Sequence, residues 1–136
     1  MAQSIHVPGL QHTPPIPNAA RVGPLLESGG IVGVDPATRQ VPEDLAGQCA
    51  QMFANMRAIL AAAGAEPSQV VKLTVWMVPG AGKEALDAEW LAMWPDAAQR
   101  PARQTFDGAL KAPVRIQCAF TAWGGVKPHP TKVAAV

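Results

Sequence analysis

The sequence predicts an α+β domain in which one sheet packs its apolar face on two helices, and three observations carry that expectation. Apolar residues recur at steps of three or four from Leu45 to Ala63, the period of a long amphipathic helix. Val70 to Val78, VVKLTVWMV, is a β-branched and aromatic-rich run of strand length. Arg100 to Trp123, RPARQTFDGALKAPVRIQCAFTAW, has the alternation of two further strands joined by a Pro- and Gly-containing connection. Strands, helix, strand, helix and two strands is the order of one sheet with helices on a single face.

Composition sets the outer limits. The 136 residues suffice for one domain, 1–136, with one core and are too few for two. Apolar residues make up 49% and charged residues 15%, a low charge fraction that points to an oligomer hiding part of its exterior. The net charge of +1 comes without a Lys/Arg run, so no footprint for nucleic acid is visible. No apolar run approaches the roughly 18 residues of a membrane span, and MAQSIHVPGLQHTPPIP lacks the n- and h-regions of a secretory signal. Cys49 and Cys118 form no Cys-x-x-Cys pair and read as small core residues in a reducing cytosol, so a cytoplasmic location is expected.

Taken in order, residues 1–20 carry Pro8, Pro14, Pro15 and Pro17, which exclude regular helix and suggest an N-terminal arm on the surface. His6 and His12 lie in it and His129 in the tail. No two share i, i+4 spacing, so they read as loop histidines and no metal site or cofactor is expected. RVGPLLESGGIVGV, Arg21 to Val34, reads as a short hairpin or a pair of strands, with Leu25 and Leu26 starting a strand that stops at Gly29-Gly30 and resumes at Ile31. Gly29, Gly30 and Gly33 fit neither a dinucleotide fingerprint nor a phosphate loop. They mark a bulge or turn, or a place where backbone beside Ser28 approaches a ligand. Asp35 to Thr38 is a turn by composition.

The first helix is expected over Pro42 to Gly64, with Leu45, Cys49, Met52, Phe53, Met56, Ile59, Leu60 and Ala63 inward and Gln48, Gln51, Asn55 and Arg57 off that stripe. Gly64 closes it, and Gly47 inside it allows close packing. After Val70 to Val78, Pro79-Gly80-Ala81-Gly82 breaks the chain. A second helix then runs from about Lys83 to Trp94, with Leu86, Trp90 and either Met93 or Trp94 inward, and Pro95 ends it. The face of the sheet carrying Lys72, Thr74 and Trp76, or their opposites, needs cover that a trimer or dimer supplies. Residues 124–136 read as a C-terminal extension.

Within Arg100 to Trp123, Pro101 suits a strand start, and Arg103, Thr105 and Asp107 share one face. Val114, Ile116, Cys118 and Phe120 share a face of the next strand, with Arg115, Gln117, Ala119 and Thr121 opposite. A strand face bearing Arg and Gln in so apolar a segment is solvated, paired across an interface, or built to hold a polar ligand.

NMRAILAAAGAEPSQVVKLTVWMV, PARQT and VRIQCAF, in that order and at these spacings, resemble the RidA (YjgF-type) family of reactive-intermediate deaminases over roughly Arg21 to Trp123. The resemblance implies a chorismate-mutase-like mixed sheet with two helices on one face, assembled as a homotrimer with ligand clefts between subunits. It also implies hydrolysis of small enamine and imine acids to 2-keto acids and ammonia. The family's ligand-binding arginine follows Pro-Ala, which here is Arg103, whose guanidinium fork suits a carboxylate. On residues alone, a salt bridge from Arg103 to Asp107 is equally open. The family's Ser-Gly corresponds to Ser28 and Gly29, a hydroxyl and an amide for substrate. Thr105 stands where the family often has Cys, and Trp90 where it commonly has an aromatic near the cleft, although a core role is also open.

Two departures matter. The family's acid in the closing strand is replaced by Gln117, which orients a water but transfers no proton, and such transfer is typically worth about 10²–10⁴ in rate. Glu27 or Asp107 is the nearest candidate to assist it. The Gly-Pro-Tyr segment is absent, and the chain has no tyrosine. The expected function is a hydrolytic deaminase of small enamine or imine acids, with Arg103 and Gln117 at the chemistry and Ser28, Gly29, Thr105 and Trp90 binding substrate. The alternative is a non-catalytic trimer binding carboxylates or metabolites. Ribonuclease activity finds no basic groove and no His/Lys catalytic set.

Overall fold

In the computed structural model, which describes residues 1–125, the chain forms one mixed sheet and two helices. The strands are β1 (Gln3–Ile5), β2 (Ala19–Val22), β3 (Leu25–Ser28), β4 (Ile31–Val32), β5 (Val70–Met77), β6 (Ala102–Asp107) and β7 (Ile116–Trp123). The helices are α1 (Leu45–Ala62) and α2 (Glu84–Met93). The strand order is β1-β2-β3-β7-β5-β6, with β4 pairing β7 beyond the end of β3. Among the described strands only β5 and β6 run parallel, as expected for strands joined through a crossover helix, here α2.

The residues that build these elements are those the periodicity selects. Asp44 caps α1 by accepting from the Gly47 amide at 3.1 Å, and Gly64, at φ 72°, turns the chain out of the helix. Cys49, Met52, Phe53, Met56, Ile59 and Leu60 of α1 are buried over Leu73, Val75, Ile116, Cys118 and Phe120 of the sheet. Fully burying a side chain of that size contributes about 1.5–3 kcal/mol. In α2, Leu86 and Met93 face inward, and Trp94 just beyond is buried edge-on to Phe53 with centroids 6.3 Å apart. Among the described residues, nothing covers the opposite sheet face. There Val32, Gln117, Trp76 and Phe106 stand side by side across β4, β7, β5 and β6.

Three features go beyond those expectations. Residues 1–20 are largely exposed but anchored: β1 pairs with β2, and Ile5 and Leu10 are buried in the core. Prolines hide so short a strand from any periodicity. Gln48 and Asn55 lie off the apolar stripe yet are 0% and 2% exposed. Each is buried because its amide satisfies backbone groups elsewhere: Gln48 donates to Pro42 and Pro113 carbonyls and accepts from the Arg115 amide, and Asn55 donates to the carbonyls of Val32 and Val34. Both strands expected in the 100–123 stretch are present, as β6 and β7, and β5 lies between them in the sheet. Most of the expected C-terminal extension, with His129, lies outside the described residues. Among the described residues, no helix is long and apolar enough to cross a membrane.

Candidate functional site

Arg103 stands on β6, an edge strand of the described sheet. It is in register with Leu73, which is fully buried under the helices, so its side chain is on the helix face. There it donates from Nη1 to Oδ1 of Asp87 at 2.8 Å, and its guanidinium carbon lies 4.9 Å from the Trp90 ring centroid. Asp87 and Trp90 are three residues apart on α2, one face of a helix turn, so the helix presents a carboxylate and a ring to the same guanidinium. The alternative partner, Asp107, is not used: the salt bridge of Arg103 goes to Asp87. One Nη is engaged, and the fork keeps donors for a second carboxylate. Trp90 is half-buried and packs against Trp94, with ring centroids 4.8 Å apart, so it serves both core and site. Thr105, two residues along the same face, borders a cavity of about 210 Å³ together with Asp107 and Lys83.

Ser28, Gly29 and Gly30 form a β-bulge. Glu27 pairs with Thr121 and Ile31 with Cys118, so four steps on one strand oppose three on the other. The Ser28 hydroxyl repairs the gap: it accepts from the Phe120 amide at 2.8 Å and donates to the Gly29 carbonyl at 2.9 Å. The Gly29 amide donates to the Asn18 carbonyl at 2.9 Å. Both groups expected to face a ligand are therefore engaged within the chain, and the exposed backbone of the bulge is at Gly30.

Gln117 is paired with Val32 and Trp76 on the uncovered sheet face and packs against the bulge. A Cβ on Gly30 would stand 2.7 Å from Gln117 Nε2. Arg103 and Gln117 are thus on opposite faces of one sheet. Of the two acids expected to assist Gln117, Asp107 shares the face of Arg103. Glu27 shares the face of Gln117 but is in register with Thr121, about 13 Å along β7 at 3.3 Å per residue.

Sequence reasoning missed Asp87 and His12. Asp87 had a local signal in its spacing from Trp90. His12 had none, because its place beside Gly29 depends on the path of an irregular segment; its Nε2 is buried without a hydrogen-bond partner among the described residues. Neither thiol is a nucleophile. Burial, with the charge of Glu89 adding, pushes Cys49 up to about 11, and burial first, then Cys49, pushes Cys118 higher still. Among the described residues, no group of three or more His, Cys, Asp or Glu is placed to hold a metal ion.

Comparison with known proteins sets this geometry in a family. The model described as Endoribonuclease L-PSP matches residues 13–118. Reactive Intermediate Deaminase A, chloroplastic, of Arabidopsis thaliana is 32% identical over 111 residues, which are 79% of this chain and 58% of that protein. The 2-iminobutanoate/2-iminopropanoate deaminase of Escherichia coli is 38% identical over 56 residues, 41% of this chain and 44% of that protein. The chain therefore spans less than two thirds of the length of either relative. The crystal structure of the YjgF gene product from Escherichia coli superposes with a TM-score of 0.80 at 27% identity, covering 89% of this chain and 98% of that one. Sequence match and shared fold agree, and the chain belongs to the RidA/YjgF family, the group that the Endoribonuclease L-PSP description covers.

Proposed function

We propose that the chain is a hydrolytic deaminase of small enamine and imine acids, working in clefts between the subunits of a homotrimer. The observation that carries this is the state of Arg103: its guanidinium is oriented by Asp87 and Trp90 at a sheet edge, with donors left for an organic acid. The placement of Arg103 and Gln117 on opposite faces supports a shared cleft, in which Arg103 of one copy meets Gln117 and the Gly30 bulge of the next. The row of Trp76, Phe106 and Gln117 on the uncovered face supports assembly through that face.

The chemistry asked of these groups is modest. Arg103 fixes the carboxylate, so the adjacent C=N carbon is presented to a water held by the Gln117 amide. Water oxygen bonds to that carbon as nitrogen takes a proton. The C–N bond then breaks as the hydroxyl proton of that oxygen passes to nitrogen, ammonia leaves, and the oxygen remains as the keto group. Orientation supplies most of the acceleration, because a protonated imine carbon is already electrophilic. Trp90 and Thr105 shape the cleft on the Arg103 side, and Ser28 and Gly29 hold the bulge that carries Gly30.

A second function is favoured by one specific observation. An amide at position 117 has no proton to transfer, which suits a trimer that binds carboxylates or metabolites without turning them over. Ammonia and keto-acid release from freshly generated 2-iminopropanoate, compared between the natural chain and Arg103→Ala, separates the two. Turnover lost in Arg103→Ala establishes the deaminase. Absent turnover with saturable keto-acid binding, lost in Arg103→Ala, establishes the binding protein.

A further inference from the structure

Arg103 and Asp87 place two opposite charges side by side, and so far only the positive one has a part in the chemistry. Their contact takes Nη1 on one side and Oδ1 on the other, at 2.8 Å, and Asp87 Oδ2 has no hydrogen-bond partner among the described residues. The Asp87 side chain is 48% exposed, so its carboxylate is open to a ligand. Lys83 stands one helical turn before Asp87, yet among the described residues the ion pair of Asp87 is with Arg103 alone.

Both charges are held in place. Leu86, next to Asp87, is fully buried and Met93 is buried at the end of the helix, which fixes the rotation of α2 about its axis. The Asp87 amide donates to the Lys83 carbonyl at 2.8 Å, so its backbone is tied into the helix. On the other side the Trp90 ring, wedged against Trp94, lies 4.9 Å from the guanidinium carbon. Lys83 and, on β6, Thr105 both border the cavity of about 210 Å³, so the helix and the strand that carry the pair lead into one space. A fixed pair of this kind sorts ligands by their pattern of charge. A keto acid has a carboxylate alone and uses Arg103 alone. A protonated 2-imino acid carries its nitrogen cation two bonds from the carboxylate carbon. It therefore docks head to tail, carboxylate on the guanidinium and N–H on Asp87 Oδ2.

We infer that Asp87 binds the substrate nitrogen: its carboxylate accepts a hydrogen bond from the protonated imine and makes the centre select zwitterionic 2-imino acids over the keto acids it releases. Asp87 gains and loses no proton in this role. It stabilises the positive charge on C=N before water adds, and holds the nitrogen as it departs. Substrate and product then differ by one charge-assisted hydrogen bond, which favours entry of the first and release of the second. The role rests on the deaminase function proposed above and adds to it the group that tells substrate from product.

Three stable acids on one carbon skeleton test it without turnover: alanine, with an ammonium at C2, lactate, with a hydroxyl, and pyruvate, with the keto group. Both enantiomers of alanine and lactate are titrated, and binding is read by NMR on the Trp90 indole N–H, assigned by its loss in Trp90→Phe. On the natural chain the better alanine enantiomer should bind about tenfold or more tighter than lactate and pyruvate. In Asp87→Asn the amide oxygen still accepts from Arg103, so pyruvate affinity should stay within about twofold while the preference for alanine falls towards one. Asp87→Glu, which keeps the charge, should retain part of that preference. A residue that only props up Arg103 would lower all three affinities together. Alanine binding no tighter than lactate, a preference unchanged in Asp87→Asn, or no saturable binding of any acid overturns the role. Ammonia release from 2-iminopropanoate is the separate check on catalysis. If it is absent while the alanine preference depends on Asp87, the deaminase fails and the nitrogen site stands; if it is present without that preference, only the role of Asp87 fails.

Discussion

Arg103 and Asp87 meet at 2.8 Å through a single Nη1–Oδ1 contact, with their side chains 20% and 48% exposed. At that exposure the pair contributes little to folding, about 0.2–1 kcal/mol, while it fixes where the guanidinium points. A double-mutant cycle of Asp87→Ala and Arg103→Ala should give a coupling energy in that range by urea unfolding. Asp87→Ala should nonetheless weaken keto-acid binding about three- to tenfold by calorimetry, because the fork loses its anchor. A coupling energy several times larger would mark the pair as structural.

Gln117 invites the reverse experiment. Its amide lies on the uncovered sheet face between Val32 and Trp76, where a carboxylate can ionise and reach the same water. Gln117→Glu should raise kcat for imine hydrolysis about 10²–10³-fold with KM little changed, the signature of an added proton-transfer group. The gain should appear as pH rises through the carboxylate range. A variant no faster than the natural chain would show that Gln117 is not beside the reacting carbon.

Arg21 is 7% exposed, and every partner it has among the described residues is a backbone carbonyl: Gly23 at 3.2 Å, Ala63 at 2.7 Å, and Gly124. It ties the β2–β3 turn to the end of α1 and to the residues after β7. Replacing it by Met leaves those carbonyls without their donors, at a cost of about 2–4 kcal/mol. Urea denaturation should show that loss with keto-acid affinity unchanged, since Arg21 lies away from both Arg103 and the bulge. A loss below about 0.5 kcal/mol would mean water replaces it freely.

The order of elements was legible because each long element carries its own period: three-to-four steps in α1, alternation in β6 and β7. The three-residue β1 was not, since its register comes from Arg21, Ala20 and Ala19 rather than from its own residues. Gln48 shows the same limit inside a helix. Its amide answers groups of Pro42, Pro113 and Arg115, and only the folded chain brings the last two within reach. For the site, the shared face of Arg103, Thr105 and Asp107 followed from alternation alone. That Gln117 faces the other way required the register of both strands with β5. That Arg103 turns to Asp87 required α2 to pack over β6.

The thiols set an alkaline limit. Cys49 is raised from the ordinary 9.0 to about 11, and Cys118 is raised further. Below pH 9 both states hold these protons and the thiols confer no pH dependence. Above it the unfolded chain releases protons that the folded chain keeps, so stability falls as pH rises, by up to about 1.4 kcal/mol per pH unit for each thiol. The Cys49 share of that slope ends near pH 11, and the Cys118 share continues. Urea unfolding between pH 8 and 10.5 should show the decline, with a shallower slope in Cys118→Ala. An unchanged slope would place its origin elsewhere.

The same substitution at two nearby glycines should have opposite consequences. A Cβ on Gly30 meets the end of the Gln117 side chain, Nε2 at 2.7 Å and Cδ at 3.0 Å, and that end can rotate away. A Cβ on Gly33 meets the backbone of α1, with Gln48 Cα at 2.9 Å, and a helix held by Asp44 and a buried stripe cannot. Gly33→Ala should therefore cost about 3 kcal/mol or more, the range of overpacking against fixed atoms, and lower the melting temperature sharply. Gly30→Ala should unfold within about 1 kcal/mol of the natural chain while displacing Gln117, so kcat falls at least tenfold with the fold intact. If the two variants lost stability equally, the close approach of α1 to Gly33 would be wrong. If Gly30→Ala kept full turnover, the amide it displaces would have no part in the reaction.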